Sequence, residues 1–210
     1  MANLTLYGPS YSTYTRSVRL VMEEKGVDYD HVEVDFMDGM PAEQIARQPF
    51  GKVPAFEHNG FHLYETGAIE RYIDEGFDGT ALQPGSLKQR ARMAQMISIV
   101  DNYTYGPVIG LCEQRIFAPM MGGETDEAAC QALMPEIQKA LGTLEDLQDG
   151  NPYLAGDDLS LADLHLAPVF WYFVQTPDAE PILSDKPGLH TWWESMESRE
   201  SMSKTEPKFE

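Results

Sequence analysis

The chain has 210 residues, 34 acidic against 15 Lys and Arg, a formal net charge of −19 and 42% hydrophobic residues. This length buries a sizeable core, in one large domain or two small ones, and the composition is globular rather than disordered. So acidic a chain repels nucleic acid and anionic membrane, and an anionic substrate would need a locally positive pocket. No basic stretch followed by an apolar run opens the sequence, and no uncharged apolar segment reaches the roughly 18 residues that span a bilayer. These features predict a soluble, cytoplasmic protein. Cys112 and Cys130 have no CxxC and no His/Cys ligand spacing, which argues for reduced thiols and against a disulfide framework or a metal site.

Residues 3–7 predict a short strand with Leu4 and Leu6 on one face. Over residues 12–25 the apolar Val18, Val21 and Met22 recur at helical spacing, and Gly26 is placed as a stop. Residues 31–35 alternate Val32 and Val34 with charged residues, as a half-buried strand does. After a loop-rich stretch, Ala55–His58 and Phe61–Tyr64 flank Asn59-Gly60, a dipeptide that favours a tight hairpin because both residues tolerate positive φ. A helix starting near Glu65 is expected to bury Ala68, Ile69, Tyr72 and Ile73. Residues 76–86 read as a linker. Strand signals then stop, and helical patterns follow over residues 87–118, 125–148 (Leu133, Ile137, Leu141 and Leu144 on one stripe), 160–173 and 188–198. An α/β half followed by an all-α half implies two packed domains, residues 1–78 and 87–210.

Four local features carry chemistry or mimic it. Residues 8–13, Gly-Pro-Ser-Tyr-Ser-Thr, lie between the first strand and the first helix. Unpaired N–H groups and the positive end of the helix dipole stabilise an anion there, but Ser12 or Thr13 also serves simply as an N-cap. Val53-Pro54 stands at a strand start, where a residue without an N–H is tolerated; most X-Pro bonds are trans, and trans is the expectation from the residues alone. Glu65-Thr66 opens a helix. The carboxylate can take an ammonium group while the hydroxyl and helix N–H groups take a carboxylate, although a first-turn acid and cap need no ligand. Ser160 and Asp163 have capping-box spacing, with Leu159 and Leu164 placed as a staple, a structural device without chemistry.

Taken together and in order, residues 48–56 (Gln-Pro-Phe-Gly-Lys-Val-Pro-Ala-Phe), residues 63–69 (Leu-Tyr-Glu-Thr-Gly-Ala-Ile) and the Gly156…Ser160-x-x-Asp163 segment resemble the cytosolic glutathione S-transferase superfamily over nearly the whole chain. The resemblance implies an α/β thioredoxin-like N-terminal domain that binds glutathione and an all-α C-terminal bundle that supplies the electrophile-binding wall. It implies a cis bond at Pro54, reversing the expectation above, with the Val53 backbone pairing with the cysteinyl part of glutathione. Glu65 and Thr66 would hold the γ-glutamyl end. The Tyr7…Ser12-Thr13 segment looks most like the serine-type phi, theta and zeta enzymes, as in a bacterial member: Ser12 falls where their activating serine stands, and Tyr7 where the tyrosine-type classes carry theirs. Met40-Pro41 stands in place of the phi basic pair, which leaves Lys52 for the glycine carboxylate, with Arg16 as a weaker basic candidate or a solvated helix residue. Gly67 and Thr66 also depart from the commoner arginine and serine.

What the resemblance implies about function is transfer of glutathione to a hydrophobic electrophile by a homodimer without metal. Ser12, with Tyr7 as runner-up, would stabilise the thiolate; Tyr11, Tyr105 and Ile109 would meet the electrophile. Phe50 matches the position of an aromatic key inserted into the partner subunit, or packs under its own loop. A glutathione-dependent isomerase or peroxidase on the same fold, and a non-catalytic dimeric interaction module, are the alternatives.

Overall fold

The computed structural model describes residues 4–36 and 39–207. Asn3, expected to begin the first strand, lies outside them. The elements in chain order are β1 (Leu4–Tyr7), α1 (Thr13–Lys25), β2 (Asp30–Val32), α2 (Ala42–Arg47), β3 (Ala55–His58), β4 (Phe61–Tyr64), α3 (Thr66–Gly76), α4 (Leu87–Ile99), α5 (Tyr105–Cys112), α6 (Ala118–Met120), α7 (Glu127–Gln148), α8 (Leu161–Phe173), α9 (Ala179–Leu183), α10 (Pro187–Glu197) and α11 (Glu200–Lys204). Two compact units result: Met1–Leu82 with Arg199–Glu210, and Gln83–Ser198.

In the first unit Leu4 and Leu6 are buried, as their alternation predicts, and β1 is an inner strand of a sheet ordered β2-β1-β3-β4. β1 runs parallel to β2 and antiparallel to β3, and β3 pairs antiparallel with β4. Asn59 and Gly60 turn the hairpin with φ of 51° and 84°. Helix α1 is capped at its start by Ser12 and ended by Gly26 at φ 67°. Two expectations need correction. β2 ends at Val32, because its partner β1 ends at Tyr7, and Val32 is exposed while Val34 turns inward. In α3 the buried stripe is Thr66, Ile69, Glu70 and Ile73, at i, i+3, i+4 and i+7, which leaves Ala68 on the exposed side.

The second unit is helical. The expected run over residues 87–118 is interrupted by two π-helical segments, Val100–Thr104 and Glu113–Phe117. Each contains the residue four before a proline, Tyr103 before Pro107 and Arg115 before Pro119, the carbonyl that a proline ring would strike in an α-helix. The stripe on α7 buries Ile137, Leu141 and Leu144. Ser160 and Asp163 form the capping box at the start of α8. The short helices α2, α9 and α11 were not legible as periodic patterns, since five or six residues cover under two turns.

Residues 199–207 group with the first unit, although the helical domain is expected to run over residues 87–210. Charged groups of α1 hold them. Arg16, 1% exposed, donates from Nη2 to the Met202 carbonyl at 3.0 Å and from Nε to Thr205 Oγ1 at 3.4 Å. Its reading as a solvated helix residue is thereby corrected. Glu24 receives Arg199 through both carboxylate oxygens, at 2.8 and 2.7 Å. Burial raises the Glu24 carboxyl, but the Arg199 and Ser201 bonds outweigh it and hold the group below its ordinary range. A depressed carboxylate contributes stability that is present above its unfolded pKa and lost as pH falls through the folded one. Glu24→Gln is therefore expected to cost about 1–2 kcal/mol near neutral pH, with the difference from wild type shrinking on acidification, as read from urea midpoints at both pH values.

Candidate functional site

The sheet register brings the candidate residues to one end of the sheet. Tyr7 pairs with Ala55, and Ala55 with Tyr64. The loop after Tyr7, the Val53-Pro54 pair before Ala55 and the Glu65-Thr66 pair after Tyr64 therefore leave the sheet at the same end. β2 joins them in the same register, Tyr7 pairing with Val32.

Ser12 stands at the N-cap of α1, where its Oγ accepts the Thr15 N–H at 3.3 Å. The capping role is real, but it uses an oxygen lone pair and leaves the hydroxyl proton for donation. Tyr7 is engaged elsewhere: its hydroxyl reaches Glu57 Oε2 at 3.4 Å, and the Arg47 guanidinium lies 4.0 Å from its ring centroid. Tyr11 sits edge-on to Phe36, with centroids 6.1 Å apart. Burial first, then Asp35 and Glu33, push its phenol above the ordinary value, so it remains a neutral hydroxyl at physiological pH.

The Val53-Pro54 bond is cis. The segment before it is held by two buried glutamines, Gln48 at the head of the 48–56 stretch and Gln44, which no sequence pattern singled out. Gln48 Oε1 accepts the Phe50 and Lys52 N–H groups at 2.8 and 3.1 Å, and Gln44 Nε2 donates to the Lys52 carbonyl at 2.9 Å. The Lys52 side chain is exposed, so its charge is available to a ligand while its backbone is fixed. Arg16, the other basic candidate, is committed to Met202 and Thr205 and is not presented to a ligand.

Glu65 has φ 72°. For a residue with a Cβ this conformation costs about 1–3 kcal/mol. It is held because Glu65 both ends the β4 pairing and caps α3, its carbonyl accepting the Ala68 and Ile69 N–H groups at 3.0 Å. Thr66 follows, nearly buried, as the first residue of α3. In the second unit Tyr105 and Ile109 lie four apart on α5, both half-buried, while Val108, Leu111 and Cys112 are buried.

Both cysteines are buried and free. Burial pushes the Cys112 thiol up to about 12 and raises Cys130 as well, so neither is a thiolate at neutral pH. Among the described residues, no group of three or more His, Cys, Asp or Glu is placed to hold a metal ion, and no helix is long and apolar enough to cross a membrane.

This geometry, a thioredoxin-like unit with a hydroxyl at a helix start beside a cis-proline turn, followed by a helical unit, meets its counterpart in known proteins. The glutathione S-transferase N-terminal domain family matches residues 2–75, and the glutathione S-transferase C-terminal domain family matches residues 94–200. The chain is 31% identical to glutathione S-transferase F10 of Arabidopsis thaliana, covering 98% of this chain and 97% of that one. The solved structure of glutathione transferase F7 from Populus trichocarpa superposes with a TM-score of 0.86 at 31% identity, covering 96% and 97% of the two chains. That of glutathione S-transferase I from maize, in complex with an atrazine glutathione conjugate, superposes with a TM-score of 0.84 at 30% identity, covering 97% and 96%. The chain belongs to the glutathione S-transferase family.

Proposed function

We propose that the chain transfers glutathione to hydrophobic electrophiles, with Ser12 stabilising the thiolate. The observation that carries this reading is the position of the Ser12 hydroxyl at the N-cap of α1, with its proton still available. Donated to the sulfur of bound glutathione, that hydrogen bond favours the ionised thiol, and the positive end of the α1 dipole adds to it. The thiol proton passes to solvent. The sulfur lone pair then forms the C–S bond while the leaving group departs with its bonding electrons, and the enzyme forms no covalent intermediate.

The remaining assignments are those the resemblance implies, supported by the common end of the sheet from which these segments leave. The Val53 backbone, turned by cis Pro54, pairs with the cysteinyl unit; Glu65 takes the γ-glutamyl ammonium, and Thr66 its carboxylate at the start of α3; Lys52 takes the glycine carboxylate. Tyr11, Tyr105 and Ile109 keep the role toward the electrophile that the resemblance implies, each within its own unit. The engagement of the Tyr7 hydroxyl with Glu57 favours Ser12 over Tyr7. The maize relative bound to an atrazine conjugate favours an aromatic electrophile carrying a leaving group. A reducing, cytoplasmic setting agrees with two buried free thiols.

The test is a pH titration of the thiolate ultraviolet absorbance of enzyme-bound glutathione. Ionisation about two units below the free thiol is expected; failure to bind glutathione would reject the enzyme reading in favour of an interaction module.

The homodimer rests on Phe50, which is 68% exposed and meets the edge of Tyr64 at 6.1 Å between centroids. An apolar ring so exposed is poorly explained by packing under its own loop and is well explained as a key for a second copy. Phe50→Ala is expected to weaken association by about 2 kcal/mol or more, which sedimentation at graded concentrations would register as a growing monomer fraction. A dimer unaffected by the substitution removes Phe50 from the interface.

A further inference from the structure

The turn between β1 and α1 is gripped along its backbone by β2 and the residues that follow it. The Gly8 N–H donates to the Val32 carbonyl at 3.0 Å. The Gly8 carbonyl lies 2.8 Å from His31 Nε2. Because a carbonyl only accepts, that nitrogen carries the proton. The ring's other nitrogen, Nδ1, lies 3.8 Å from Glu33 Oε1. The Glu33 carboxylate in turn straddles the Ser10 N–H, with its oxygens at 2.9 and 3.2 Å. Two residues on, the Ser12 N–H closes the turn onto the Pro9 carbonyl at 3.1 Å.

We propose that Glu33 and His31 are positioning residues for thiol activation, holding the backbone of residues 8–10 so that the Ser12 hydroxyl stays directed at the sulfur. The proposal rests on the Ser12 reading above. Its physical content is specific. The Ser10 N–H is a backbone donor beside the start of α1, a place where an incoming anion competes for donors. Glu33 occupies that donor with an internal carboxylate, so the turn offers sulfur the Ser12 hydroxyl rather than the Ser10 amide. A charge-assisted bond to a backbone N–H is also stronger than a neutral one, which stiffens a turn that holds two glycine and proline positions, Gly8 and Pro9. The Glu33 side chain is 59% exposed, so its replacement leaves the core intact.

The experiment compares Glu33→Ala, Glu33→Gln, His31→Ala and His31→Gln with wild type, measuring kcat, the glutathione KM and the pH at which bound glutathione ionises. Glu33→Ala is expected to lower kcat about tenfold through lost alignment and to raise the pH of ionisation, with KM little changed because Lys52, Val53, Glu65 and Thr66 hold the rest of glutathione. Glu33→Gln keeps an acceptor oxygen for Ser10 and should restore most of kcat. His31→Gln keeps a side-chain N–H for the Gly8 carbonyl and should outperform His31→Ala. Hydrogen-exchange protection of the Ser10 amide, read by nitrogen-15 NMR, is a readout independent of turnover: it should fall in Glu33→Ala and be largely kept in Glu33→Gln. Equal damage in Glu33→Ala and Glu33→Gln, or a rise in KM without loss of kcat, would overturn the proposal. Ser12→Ala run alongside separates the two readings. A kcat indifferent to Ser12→Ala removes the role of Ser12, and with it the purpose of the grip; a loss there with full activity in Glu33→Ala removes the grip alone.

Discussion

Ser12→Ala is expected to lower kcat by about 10- to 100-fold and to return the bound thiol most of the way to its free pKa near 8.5. Depressing a thiol by two units requires about 2.7 kcal/mol of preference for the ionised form. A hydrogen bond to an ionised acceptor contributes about 1.5–3 kcal/mol, and a helix terminus about 0.3–1 kcal/mol. The hydroxyl is thus the larger part, and its loss leaves the smaller dipole contribution in place. Because Ser12 also caps α1, the alanine variant loses about 1 kcal/mol of stability as well. Ser12→Gly separates the two roles: glycine caps nearly as well as serine, within a few tenths of a kcal/mol, but has no proton to donate. Equal loss of thiol activation in both variants, with stability loss mainly in alanine, would assign the hydroxyl to sulfur. If Tyr7→Phe rather than either Ser12 variant abolishes the depressed ionisation, the activating hydroxyl is that of Tyr7.

The second large effect lies far from chemistry. Asp163→Ala is expected to destabilise the protein by about 3–5 kcal/mol. Asp163 is fully buried and accepts four hydrogen bonds: from the Leu154 and Ser160 N–H groups, each at 2.8 Å, from Ser160 Oγ at 2.7 Å and from Trp192 Nε1 at 2.9 Å. Burial pushes its carboxyl above the ordinary value, against the pull of these four donors. Truncation strands three buried N–H donors, each costing about 1–3 kcal/mol when left unmade, and opens a gap beside Trp192. Asp163→Asn should fall between, since one amide oxygen can still serve two donors. Urea unfolding measures both. A cost for alanine below about 1 kcal/mol would mean that water replaces the carboxylate, and that the node is not what joins α8, α10 and the loop before them.

The value of the capping box was underread from sequence for a definite reason. Spacing identifies Ser160 and Asp163 as partners three residues apart, but the other oxygen of the same carboxylate serves Leu154 and Trp192, 9 and 29 residues away. The same limit applies to Gln44, Gln48, His31 and Glu33. A polar residue pinned under a loop looks, in one dimension, like any solvated polar residue, and only the partner's position reveals it. Arg16 was misread in the same way, because nothing within α1 announces that Met202 and Thr205 will cover it.

What the sequence by itself determined was what is local or periodic: the β1–α1 start, the Asn59-Gly60 hairpin, the stop at Gly26, the buried stripe of α7, and the order of an α/β half before a helical one. Those features depend on φ/ψ preference and on spacing along one element, which the chain carries wherever it packs. The positive φ of Glu65, the grouping of residues 199–207 with the first unit and the grip of Glu33 on Ser10 were decided only in the tertiary structure. Glu65 is set by where its strand pairing ends as well as by the helix it caps. Residues 199–207 and the Ser10 amide are held by residues far away in the chain, so these features exist only once the fold has brought those partners together.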